Sequence, residues 1–285
     1  MSQIARIARC CNVFWSAERN RRGSIPVSNR MAPLLLALSS AVLFALGLPP
    51  YNLEWLGWFA LAPLFIAVQG RRPLESIGLG LITGIVCGVL HSGWSRNSLS
   101  VLWGFIPFLW MTFLFAGVAT AARSRGQNGV RWILWVTVVG VTGEWLTTFL
   151  PIPINTALCQ YRQVALIQLA SITGIWGVSL LLWLMNAVIA DAIIGRRLVP
   201  RVAVPAAAAV LLSYAGGATY LKLAHPEPET TLAVAAIQDF TGDETHDIAE
   251  GPAVTEERDV MTRKAVARGA RLAVWSEEVL GSAFA

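Results

Sequence analysis

Charge is scarce in this chain. Asp, Glu, Lys and Arg make up 14% of its 285 residues, whereas a soluble globular domain usually carries about 25%. That deficit, set beside a 55% hydrophobic content, excludes water as the main solvent of the whole chain. Cysteine is also sparse. Cys10, Cys11, Cys87 and Cys159 show neither metal-ligand spacing nor the pattern of a disulfide framework, so no metal and no cofactor is expected. Residues 1–30 do not read as a secretory leader, since they have no apolar core of their own and precede no convincing small-residue cleavage site. This segment reads as a basic arm, and Met31, directly before the first apolar run, is an alternative start.

What is present is a succession of long apolar runs across residues 32–223, followed by a polar stretch, 224–285, rich in Asp and Glu. The shift marks a domain boundary. A hydrocarbon core about 30 Å thick needs roughly 20 apolar residues as helix. On that measure the sequence predicts seven spans, near 32–49, 56–69, 76–93, 101–122, 132–150, 172–194 and 202–223. The second is short and reads either as a span or as a re-entrant segment.

Arginines fall in alternate connections. They occupy the arm 1–30, the 69–75 loop (Arg71, Arg72), the 123–131 loop (Arg123, Arg125, Arg131) and the 195–201 loop (Arg196, Arg197, Arg201). The intervening loops hold only Arg96 and Arg162. Cytoplasmic loops carry such an excess, so the N-terminus is predicted in the cytoplasm and residues 224–285 on the far side. The same rule accounts for the net charge of +5 with no nucleic-acid partner.

Several polar residues sit among the apolar runs. Glu144 and Trp145 lie near the outer end of the fifth span, where a carboxylate is either a site or an interfacial helix-end residue. The many tryptophans near span ends read as an aromatic belt. Trp94 and Trp145 stand apart because both fall on the outer side, and with Glu144 they are the candidate substrate-binding residues. His91 reads as an interfacial hydrogen-bonding residue, and Asp191 as an ion-pair partner beside Arg196 and Arg197. The 151–171 connection is long for a helix–helix loop, a length that often carries function. Thr173, Gly174, Gly177 and Ser179 read as small residues that let helices approach closely.

In the polar stretch, 231–238 reads as a buried strand, 254–268 as a helix closed by Gly269, and 271–275 as a second strand followed by Ser276, Glu277 and Glu278. A carboxylate just past the C-terminal end of a strand in a β-α-β unit is a common active-site layout.

Together these residues carry a resemblance. Gly47-Leu48-Pro49-Pro50-Tyr51 with Trp55 and Ala60-Leu61-Ala62-Pro63-Leu64, the segment Gly88 to Trp94, Glu144-Trp145, Leu166-Ile167-Gln168, Thr173 to Ser179, Asn186, Val234 to Gln238 and Gly269 to Glu277 are similar to stretches of the bacterial apolipoprotein N-acyltransferase family. The resemblance implies a polytopic α-helical membrane bundle of about seven transmembrane helices over 31–223. Residues 224–285 would then be the first β-α-β portion of a nitrilase-like (carbon-nitrogen hydrolase) α/β sandwich. It implies a multi-pass protein of the bacterial inner membrane, with the nitrilase-like part periplasmic. It also implies a reaction: a cysteine takes a fatty acyl group from a phospholipid as a thioester and passes it to the α-amine of a diacylglyceryl-cysteine lipoprotein.

By the same resemblance Glu277 is the catalytic glutamate, acting as general base, with Glu278 its one-residue alternative. The family pattern usually has proline before this glutamate, and Ser276 stands there. The family's oxyanion-stabilising lysine and its nucleophilic cysteine lie downstream of the glutamate; Lys264 precedes it, and Cys159 lies outside the nitrilase-like part. The expectation is therefore a C-terminally truncated member, inactive alone, whose domain a separate chain could complete. An inactive remnant that binds lipid or a partner, and an unrelated transporter or scaffold, are the other readings.

Overall fold

The computed structural model describes residues 31–91, 101–126, 128–149, 155–223, 232–237 and 252–275, with side chains outside 101–108 and 252–258. Backbone packing divides the chain into two compact units, Met1–Thr219 and Tyr220–Ala285.

The first unit is helical. Its elements are α1 (Met31–Gly47), a 3-10 turn (Glu54–Trp58), α2 (Ala62–Ala67), α3 (Pro73–His91), α4 (Val101–Ala122), α5 (Gly129–Thr147), a 3-10 turn (Thr156–Gln160), α6 (Val164–Ile167), α7 (Ala170–Thr173), α8 (Ile175–Gly195) and α9 (Pro200–Leu223), which continues into the second unit. Among the described residues, α3, α8 and α9 are long and apolar enough to cross a membrane.

Pairwise contacts fix the helix directions. On α3, a Cβ at Gly80 would meet the backbone oxygen of Phe115 at 2.4 Å, and one at Gly84 would meet Thr112 Cα at 2.3 Å. The two helices therefore run antiparallel with their backbones in contact, and only glycine fits at those positions. On α5, Gly140 makes the same kind of room for the Trp183 ring of α8. Thr83 Oγ1 donates to Ala37 O, and His91 Nδ1 lies 3.2 Å from Pro49 O, so α1 and α3 run parallel.

The second apolar segment is not one continuous helix. It breaks between the first 3-10 turn and α2, and Asn186 of α8 repairs the break. Its Oδ1 accepts the amides of Leu61 (2.7 Å) and Ala62 (3.1 Å), while its Nδ2 donates to Gly57 O and Leu182 O. An exposed chain break in an apolar bundle would leave backbone groups unpaired at a cost of ~1–3 kcal/mol each; one buried amide side chain satisfies three of them here. Around this break sits the core, with Phe44, Leu61, Phe65, Phe115, Trp132 and Trp183 buried. Phe65 lies between the rings of Trp132 and Trp183.

These contacts define two ends. At one, Gly70 N donates to Arg123 O, Gln69 Nε2 to Ala122 O, and Arg125 pairs with Asp191; the connections 69–73, 122–129 and 195–200 therefore gather there. At the other lie Pro49 with His91, Glu54 with Arg162, and Glu144 with Thr156.

The second unit contains β1 (Val234–Ile237), α10 (Pro252–Ala267) and β2 (Leu272–Trp275). The strands are parallel, with Val234 opposite Leu272 and Ile237 opposite Trp275. The helix opens with Pro252 at its first position, where a missing N–H is harmless, and Gly269 at φ +94° turns the chain into β2. Trp275 Nε1 donates to Thr262 Oγ1 at 3.0 Å, tying strand to helix.

Candidate functional site

Glu144 occupies the last turn of α5 and is wholly buried. Its Oε1 accepts from Trp183 Nε1 at 2.7 Å and from the Thr156 amide at 2.8 Å. The hydroxyls of Ser179 and Thr156 lie beside the same carboxylate, yet neither completes a hydrogen bond of normal geometry to Oε2. The carboxylate thus joins three elements: α5, α8 and the 3-10 turn 156–160. Burying such a group costs several kcal/mol unless it is hydrogen-bonded, and the converging donors offset that cost. Glycine at position 140 is what admits the Trp183 ring to this point.

A second polar knot lies next to it. Gln160 Nε2 donates to Glu54 O at 2.7 Å. Gln163 Nε2 donates to a Glu54 carboxylate oxygen, and Arg162 Nε lies 3.4 Å from the other. Residues 155–163 are thus held from both sides, by Glu144 and by Glu54. From residue 155 onward, what the sequence presents as a long irregular loop is a 3-10 turn followed by two short helices, pinned to the bundle. Cys159 sits inside this clamp, against the space that Gly47 and Gly57 leave open. It is fully buried, and burial pushes its thiol pKa well up, which opposes the thiolate form that attack requires.

The candidate residues separate on inspection. Glu144 faces inward, whereas Trp145 is 47% exposed and packs edge-on against Phe149, ring centroids 5.0 Å apart. Trp94, Glu277 and Glu278 lie outside the described residues; β2 ends at Trp275, two positions before Glu277. Lys264 is on an exposed position of α10. Asp191 does form a buried ion pair, but its partner is Arg125 at 2.5 Å, not the arginines that follow α8 in sequence. The pair lies where Gly129 and Gly195 leave room: a Cβ at Gly129 would come within 2.6 Å of Asp191 Oδ1, and one at Gly195 within 2.8 Å of Arg125 Nη2. Among the described residues no group of three or more His, Cys, Asp or Glu is arranged to hold a metal ion.

Sequence reasoning missed Glu54, Gln160 and Trp183 as partners of the carboxylate region. Gly140, one turn before Glu144, was the available signal that a bulky neighbour approaches α5.

Residues 40–188, just over half of the chain, match the family described as the apolipoprotein N-acyltransferase N-terminal domain. The chain belongs to that family. It is 30% identical over 270 residues to the apolipoprotein N-acyltransferase of Geobacter metallireducens, an alignment covering 85% of this chain and 50% of the relative. It is 31% identical over 184 residues to apolipoprotein N-acyltransferase 2 of Treponema pallidum, covering 57% of this chain and 31% of the relative. The chain spans about half the length of the Geobacter relative and about a third of the Treponema one. The matched region contains the Glu144–Trp183 contact, the Glu54 knot and the Asn186 splice.

Proposed function

We propose that residues 1–285 supply the membrane bundle and the glutamate-bearing start of the nitrilase-like part of an apolipoprotein N-acyltransferase. The observation that carries this reading is the family match over 40–188, within which the two polar knots hold the 155–163 connection on the bundle. In support, the arginine-rich turns 69–73, 122–129 and 195–200 lie at one end and the Glu144 and Glu54 knots at the other. Arginine-rich connections mark the cytoplasmic side, so the Glu144 end faces the outer leaflet of the inner membrane. Seven apolar segments then alternate between the faces, the second being the spliced one, and residues 224–285 emerge opposite the arginines.

The chemistry proceeds in two steps. A thiolate attacks the ester carbonyl of a phospholipid, forming an acyl thioester and releasing the lysophospholipid. The α-amine of a diacylglyceryl-cysteine lipoprotein then attacks the thioester, forming the amide and regenerating the thiol. Glu277 takes the thiol proton and returns it to the departing lysophospholipid oxygen in the first step, then takes the amine proton and returns it to the departing thiolate in the second. Trp145, exposed on α5, and Trp94 meet the lipid substrates, and Glu144 serves them by holding the 155–163 connection on the bundle.

Cysteines occur only at positions 10, 11, 87 and 159, all before the nitrilase-like part, and both Cys87 and Cys159 are buried. A polypeptide limited to these residues is therefore expected to form no acyl thioester. The test is co-expression with the C-terminal half of the Geobacter relative, read by mass spectrometry of a diacylglyceryl lipopeptide. N-acylation is expected only with both halves present, with loss on Glu277→Gln and retention on Glu278→Gln. Full activity of the Glu277→Gln pair, or acylation by residues 1–285 alone, would overturn the reading.

A further inference from the structure

The positive charge at the arginine-rich end of the bundle is concentrated at one junction. The α4–α5 turn meets the α8–α9 turn through Arg125. Its guanidinium lies on Asp191 and against the positions of Gly129 and Gly195, the first residue of α5 and the last of α8. The stretches 123–131 and 195–201 together hold six arginines and no Asp, Glu or Lys. Asp191, the acid that reaches this junction, is already taken by Arg125. Arg123, Arg131, Arg196, Arg197 and Arg201 have no acidic partner among the described residues, and all but Arg123 are exposed.

Two further features add to the positive potential. The 19-residue α5 and the 24-residue α9 both begin here, so two helix N-termini, each a partial positive charge, open on the same patch. Arg196 sits in the left-handed region at φ 49°, ending α8, so that Arg197 leaves the helix axis at once. Guanidinium groups form paired hydrogen bonds to phosphate oxygens, which ammonium groups do not.

We propose that this junction binds the headgroup of an anionic phospholipid from the leaflet on that side, its phosphate shared between Arg123 and the Arg196, Arg197 and Arg201 group. The proposal rests on the membrane reading above. Charge complementarity selects the occupant: the patch ends an apolar bundle, so a phosphate carried on acyl chains satisfies both the guanidiniums and the exposed apolar flank of Leu198 and Val204, which a free phosphate does not. Basic clusters just beside membrane helices recognise such lipids.

The full chain would be placed in nanodiscs of phosphatidylcholine containing phosphatidylglycerol or cardiolipin, then released and weighed with its retained lipids by native mass spectrometry. Retention of the anionic lipids over phosphatidylcholine is expected. It should fall about fivefold for each arginine removed in the pairs Arg196→Gln/Arg197→Gln and Arg123→Gln/Arg201→Gln. Arg263→Gln, which removes one positive charge in the second unit, should leave retention unchanged, without the fivefold fall expected per arginine at the junction. Melting temperatures in pure phosphatidylcholine show that each variant is folded. Equal retention of all lipids, an equal loss with Arg263→Gln, or complete displacement by millimolar inorganic phosphate would overturn the proposal. Failure to enter nanodiscs at all would instead overturn the membrane reading.

Discussion

The two ends of the bundle use charge in opposite ways. At the Glu144 end a carboxylate is buried completely, and the Trp183 indole and the Thr156 amide converge on it. At the arginine end one ion pair is buried, Arg125 with Asp191, and the remaining guanidiniums stay at the surface. The first arrangement fixes a connection in one conformation; the second leaves charge free for whatever lies outside. The difference teaches that sidedness in this chain is not only a matter of counting arginines. One end is built to hold its own loop, the other to meet an anionic surface.

If that contrast is right, mutations at the two ends should differ in kind. The largest effect is expected from Glu144→Ala, which strands the Trp183 and Thr156 donors in the interior at ~1–3 kcal/mol each, about 4 kcal/mol in total. Melting of the detergent-solubilised chain would read this, and Glu144→Gln, which keeps an acceptor oxygen, should recover most of the loss. Next is Gly84→Val, which breaks the α3–α4 approach shared by both ends. Overpacking usually costs about 1–3 kcal/mol, and the upper limit applies because the obstructing atoms are backbone. A loss smaller than that of Gly78→Val, where nothing lies within 4 Å of the added carbon, would contradict the packing described.

At the arginine end, Asp191→Ala leaves Arg125 without its partner. Removing one member of a fully buried pair costs about 3–5 kcal/mol; Arg125 retains 17% side-chain exposure and can turn toward water, so about 2 kcal/mol is expected in the same melt. The smallest stability effect should come from Trp145→Ala, beside Glu144 but surface-exposed, at under ~0.5 kcal/mol. Its effect is expected in lipopeptide turnover by the reconstituted two-chain enzyme, through a raised KM. A Trp145→Ala variant as unstable as Glu144→Ala would erase the distinction between the inward and outward residues of that turn.

Much of the fold was legible because hydrophobic runs and glycine or proline stops are local signals. The predicted 101–122 helix is α4 as observed, and the predicted strands at 231–238 and 271–275 contain β1 and β2. The break in the second apolar segment was not legible. The reason for it, Asn186, lies 125 residues from Leu61. The glycines of α3 were visible, but not which of them meets a partner: Gly80 and Gly84 touch α4, whereas Gly78 touches nothing. For the site, Glu144 stood out as a carboxylate in an apolar helix. Adjacent helical residues point about 100° apart, so sequence alone could not say that Glu144 turns in while Trp145 turns out. Asp191 was recognisable as a pairing residue, but its sequence neighbours concealed that Arg125, 66 positions away, is the partner.

The central claim is that the arginine-rich turns face the cytoplasm and the chain leaves its seventh apolar segment on the opposite side. Fusing alkaline phosphatase or green fluorescent protein after residue 285 tests this directly. The account predicts an active phosphatase and a dark fluorescent protein. A bright fluorescent protein with a silent phosphatase would contradict it.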